Sequence, residues 1–156
     1  MDADEVARRL ADLERRVSHL EGRRPTPQLT GEGGGEISYH GHLQLYGEVQ
    51  WRINLAAEPV LSLDDAPRVE TLAALAHPAR ISIIRKLLTA GPQPVSALQE
   101  TAGVRSTGQL YHHLKSLTAG GLVESDGRGR YRIPVEAMVP IVIMLAAASD
   151  VAGQLR

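Results

Sequence analysis

Apolar residues recur at Val6, Leu10, Leu13, Val17 and Leu20, in alternating steps of four and three. That spacing keeps one narrow stripe along a helix and fits a coiled coil. With Leu10 and Val17 at heptad position a, and Val6, Leu13 and Leu20 at d, Arg9 and Arg16 fall at g while Glu14 and Glu21 fall at e. In a parallel pair Arg9 would face Glu14 and Arg16 would face Glu21 of the other copy. A helix packed on its own domain is the alternative, but the 3.5 spacing with flanking charges of opposite sign favours the parallel pair. We expect residues 1–22 to form a dimerisation helix, too short to be stable alone. Prolines and then a glycine cluster predict a linker over 23–35.

The period then changes to two. Ile37, Tyr39, Leu43, Leu45, Val49, Trp51 and Ile53 occupy odd positions, and Ser38, His40, His42, Gln44, Glu48, Gln50 and Arg52 occupy even ones. Such alternation predicts two or three half-buried antiparallel strands within 36–60. A hairpin of this size needs a surface to pack on, from the next domain or from a second subunit.

From Pro67 the pattern turns helical. "PRVETLAALAH" sets Val69, Leu72, Leu75 and Ala76 on one side. "PARISIIRKLLTAG" sets Ile81, Ile84, Leu87 and Leu88 inward and stops at Gly91. "PVSALQETAG" predicts a short third helix. "VRSTGQLYHHLKSLTAGG" predicts a fourth, capped by Ser106, with Leu110, Leu114 and Leu117 inward and His113 beside them. "LVESDGRGRYRI" predicts a hairpin turning at Asp126-Gly127. An apolar closing helix follows over 134–153, interrupted or kinked at Pro140. The predicted class is α+β, mainly α: a winged helix-turn-helix domain at 67–133, preceded by the coil and a small antiparallel β segment.

The charge distribution sharpens this picture. The chain carries −1 overall, yet from Pro67 to Ile133 nine cationic residues against four acidic ones give +5, leaving −6 for the remainder. One part of the chain therefore suits phosphates. On the fourth helix Thr107, Gln109, Tyr111, His112 and Lys115 lie away from the leucine stripe or in the first turn. Such side chains can donate to, accept from and pack on base edges and phosphates in a major groove. Arg105 and Ser106 lead into it, and Arg128, Arg130 and Arg132 crowd a glycine-rich tip suited to phosphate or minor-groove contact. Taken singly, a polar helix face is commonly only solvated. The order of elements together with the local charge favours double-stranded DNA as partner.

These residues also carry a resemblance. "LAALAHPARISIIRKLL", residues 72–88, and "YHHLKSLTAGGLVE", residues 111–124, resemble the ArsR-type winged-helix transcriptional repressors. The resemblance covers about residues 69–133. It implies a homodimer on a palindromic operator, released by a small-molecule or protein effector. It implies DNA contacts from Ser106, Thr107, Gln109, Tyr111, His112, Lys115, Arg128 and Arg130. It also implies a C-terminal dimerisation helix, whose seam here would be Met138, Val139, Val142, Ile143 and Leu145. Metal-sensing members place cysteines in the third helix, or His and acidic ligands on the last. This chain has no cysteine and its last helix has no histidine.

Other chemistry finds little footing. His40 and His42 share a strand face and are weak metal candidates without an obvious third ligand. No phosphate loop or nucleophile elbow is present, so neither an enzyme nor a cofactor is expected. The N-terminus "MDADEVARRL" is unlike a signal peptide, and the run at 137–148 is too short to span a bilayer, which predicts a cytoplasmic protein with no membrane partner. A winged-helix scaffold that assembles oligomers remains the alternative to a regulator, and a sensor of apolar ligands differs from the regulator only in what fills a pocket under the last helix.

Overall fold

The computed structural model describes residues 3–20 and 34–155. They fall in two compact units, residues 1–33 and residues 34–156. The first unit holds α1, Ala3–Leu20. Val6, Leu10, Leu13 and Val17 are exposed along it, and Glu5 pairs with Arg9 at 3.1 Å on the same helix. The side chains of Glu14, Arg16 and Leu20, together with Glu21, lie outside the described residues, as does residues 23–33 of the expected linker.

The second unit begins with β1 (Glu36–Gln44) and β2 (Glu48–Ala56), paired antiparallel in a register that sets Tyr39 opposite Ile53 and Gly41 opposite Trp51. Two strands form, and their odd positions are the more buried ones, as the alternation predicts. Trp51 lies over Gly41, where a β-carbon would stand 2.7 Å from the indole. The turn docks on the rest of the unit: Leu45 and Val49 pack against the core, and the Tyr46 hydroxyl lies 3.8 Å from the Met138 sulfur. A helix that the alternation gave no sign of, α2 (Ala57–Leu61), follows. Arg68 ties it to the next helix by donating to the carbonyls of Val60, Leu63 and Asp64.

Then come α3 (Asp65–Leu75), α4 (Pro78–Ala90), α5 (Val95–Ala102) and α6 (Thr107–Ala119). Asp64 caps α3 by accepting from the Ala66 amide, and His77 caps α4 in the same way through Ala79. Ile83, Ile84, Leu87, Leu98, Leu110, Leu114 and Leu117 are at most 1% exposed and form the centre of the core. Ile81 is only half-buried; Ile83 takes its expected inward place. Of the α3 stripe only Leu75 is buried, and Val69 and Leu72 stay exposed at 58% and 54%.

The wing is β4 (Glu124–Ser125) and β5 (Arg130–Arg132), joined through residues 126–129 and not by a two-residue turn. The two-residue strand β3 (Gln93–Pro94) pairs with the other side of β5, so β5 is the central strand of three. The last helix, α7 (Val135–Val151), runs through Pro140 without a break. That proline is exposed, and the carbonyl deprived of its bond belongs to Glu136, in the first turn, where water can reach it. Met138 and Val139 are 3% and 6% exposed, buried within the chain itself, which corrects their expected place in a seam between subunits. Val142, Ile143 and Leu145 are half-buried. Among the described residues no helix is long and apolar enough to cross a membrane.

Candidate nucleic-acid interface

The turn into α6 is built by its own side chains. Gly103 closes α5 with φ +64, a conformation that disfavours any residue with a β-carbon. Ser106 Oγ accepts the Gln109 amide at 3.2 Å, and Gln109 Oε1 accepts the Arg105 amide at 3.2 Å. Ser106 thus caps the helix, and Gln109 reaches back past it to the residue before the cap, a variant of the capping box. Thr107 Oγ1 donates to Gln99 Oε1 at 3.2 Å and so fastens α6 to α5. Ser106, Thr107 and Gln109, expected at base edges, thus also hold the helix start in place, and all three are exposed.

Beyond that start, Gly108, Tyr111, His112 and Lys115 are exposed on the side opposite Leu110, Leu114 and Leu117. An open groove of about 740 Å³ runs past Arg105, Gly108, Gln109 and His112. Gly108 lines it without a side chain, and a β-carbon there would touch nothing closer than Ser106 Oγ at 3.9 Å. A second depression, about 460 Å³, lies between α3 and α6 and is lined by Glu70, Arg80, His112 and Lys115.

The wing divides its arginines. Arg132 donates through Nε to Glu124 Oε1 at 2.7 Å and lies 3.6 Å from Asp126. The Glu124 carboxylate raises the guanidinium pKa above its usual value. Arg130 lies 3.8 Å from Asp126 and donates to the Pro92 carbonyl at 3.0 Å. Arg128, at φ +50 between Gly127 and Gly129, stands at the tip without an ion pair among the described residues. All three were expected to serve phosphates, but only Arg128 is unengaged. The sequence shows Glu124 and Asp126 only as charges and as part of the turn; the observed β4–β5 register, which sets Glu124 opposite Arg132, makes them partners of the wing arginines.

Two glycines set the angle between α6 and the wing for different reasons. Gly120 has ordinary φ, but a β-carbon there would stand 2.8 Å from Ala74 Cβ, and its carbonyl accepts from Thr71 Oγ1 at 3.2 Å. Gly121 has open space around it and φ +69. Elsewhere, His42 Nε2 lies 2.9 Å from Glu48 Oε1 on the exposed hairpin face. His40 and His42 find no further ligand: among the described residues no group of three side chains able to hold a metal forms.

Residues 75–126 match a family described as helix-turn-helix domain. Among solved structures, the chain is similar to a possible transcriptional regulatory protein from Mycobacterium bovis, fragment 1–100. They share 26% identity over 56% of this chain and 99% of that one, with a TM-score of 0.47. It is also similar to NolR from Sinorhizobium fredii, at 27% identity over 64% of this chain and 95% of that one, TM-score 0.46. The transcriptional repressor BigR from Xylella fastidiosa shares 23% identity over 60% of this chain and 96% of that one, TM-score 0.47. None of the curated proteins matches the chain. With the helix order, the three-stranded wing and the matched segment in one place, the chain carries a winged helix-turn-helix domain.

Proposed function

We propose that the protein is a dimeric, sequence-specific DNA-binding transcriptional regulator acting as a repressor. The observation that carries this is the outward face of α6, where Gln109, Tyr111, His112 and Lys115 stand exposed beside a basic wing tip. In this reading α6 enters the major groove, Gln109 and Tyr111 discriminate bases, and Lys115 neutralises a phosphate. Arg128 follows the backbone or the minor groove. Two copies are held by the exposed α1 stripe of Val6, Leu10, Leu13 and Val17 and by the outer side of α7, with Val142, Ile143 and Leu145 at its margin. The β1–β2 hairpin is the place for a small-molecule or protein effector, because it touches the core only near its turn.

Duplexes selected from random DNA by the purified protein, then titrated by fluorescence anisotropy, test this reading. A selected consensus with two related halves is expected, and the combined Lys115→Ala, Arg128→Ala, Arg130→Ala variant should lose most of its affinity. An unchanged titration for that variant refutes it. The exposed α1 stripe also favours a second reading, a winged-helix scaffold. Light scattering with and without residues 1–33 separates the two, since large assemblies that vanish on truncation favour the scaffold.

A further inference from the structure

Two imidazoles meet where α6 crosses the start of α4. The His77 Nδ1 accepts the Ala79 amide at 3.1 Å and so caps α4. The ring of His113, from the middle of α6, stacks on it with centroids 4.6 Å apart at 45°. His113 Nδ1 is buried and has no hydrogen-bond partner among the described residues.

The His77 ring is thus fixed by its bond to the Ala79 amide and packs against His113. A proton on His113 would charge a half-buried ring whose Nδ1 has nothing to donate to. The surroundings add to this. Arg80 of α4 is held nearby by the Ala73 and Ala74 carbonyls, at 2.9 and 2.6 Å. His112 of α6 lies 6.0 Å away edge-on, and Arg105 from the α5–α6 turn lines the adjoining groove. Glu70 of α3 is the one carboxylate in the neighbouring depression, which it shares with Arg80, His112 and Lys115. The His113 pKa is lowered accordingly, first by burial and then by His77, Arg80 and His112.

We propose that the His77–His113 contact is a pH-sensitive seat for α6, closed while His113 is neutral and loosened when it takes up a proton. It rests on the DNA-binding reading only where it links the seat to duplex affinity. Because His113 has a folded-state pKa below its unfolded value of 6.5, its stabilisation is complete above 6.5. The stabilisation declines as the pH falls through that value towards the folded one, where the loss is complete.

The test is urea unfolding of the full chain, with anisotropy on a selected duplex, at pH about 7.5 and about 5.5, on either side of the histidine range. The wild type should lose stability on acidification. Its duplex affinity should fall by at most about tenfold per pH unit for one linked proton. His113→Leu removes the orphan nitrogen and keeps a good helix former. His77→Asn keeps a capping oxygen and removes the ring that packs against His113. His113→Leu should flatten the stability profile, and His77→Asn should flatten it in part. A wild-type profile that is flat, or equally steep in both variants, overturns the proposal. Failure to bind any duplex at either pH would remove the DNA-binding reading and leave the stability profiles to decide the seat.

Discussion

The unequal standing of the three wing arginines gives a prediction that can be worked to a number. Over residues 124–132, three arginines face two carboxylates, and the two carboxylates hold Arg130 and Arg132 within 2.7 to 3.8 Å. The hairpin thus presents one net charge, carried at its tip by Arg128. If Arg128 neutralises one phosphate, Arg128→Ala should lower the slope of log affinity against log salt by about 0.9, which is roughly eightfold in affinity near 0.1 M salt. Arg132→Ala should cost less than half of that, since Arg132 must first give up Glu124. The opposite change is more discriminating. Glu124→Gln with Asp126→Asn frees two guanidinium groups and should steepen the slope by up to about 1.8 for a duplex of any sequence. The assay is anisotropy on a non-specific duplex across a sodium chloride series. Equal losses for Arg128→Ala and Arg132→Ala, or an unmoved slope in the double variant, would refute the assignment.

Further substitutions test other joints. Gly120→Ala should destabilise the chain to urea by about 1–3 kcal/mol through the 2.8 Å clash with Ala74, and Ala74→Gly should recover part of it in a double-mutant cycle. Gly121→Ala should cost about 1–2 kcal/mol through its φ of +69 instead, and Ala74→Gly should not rescue it. Ile83→Ala, at a position with no exposure, should cost about 2–5 kcal/mol in the same unfolding assay. Lys115→Ala should weaken binding evenly across sequences, while Gln109→Ala should shift the selected consensus; the reverse pattern would exchange their roles.

Much of the domain was open to reading because each helix reports its own buried side. Leu110, Leu114 and Leu117 recur at helical spacing, and all three are at most 1% exposed, so the polar side of α6 had to face out. The strand alternation placed Tyr39 and Trp51 on the more buried side of the hairpin for the same reason. Reading failed where a residue's surroundings come from far along the chain. Gln93–Pro94 has no periodicity to betray a strand; β5 makes it one by offering an edge. Met138 and Val139 look like seam residues on an apolar helix, but the core had room for them and the Tyr46 turn closes over Met138.

The sequence by itself determined the order of elements, the inward and outward sides of α6 and the cationic stretch that goes with it, because periodicity and charge belong to single segments. Tertiary structure alone decided which wing arginine is free, why Gly120 can carry no β-carbon, and that His77 meets His113. Each of these depends on the distance between residues far apart in the chain, fixed by strand register and helix crossing, and no local pattern records that distance.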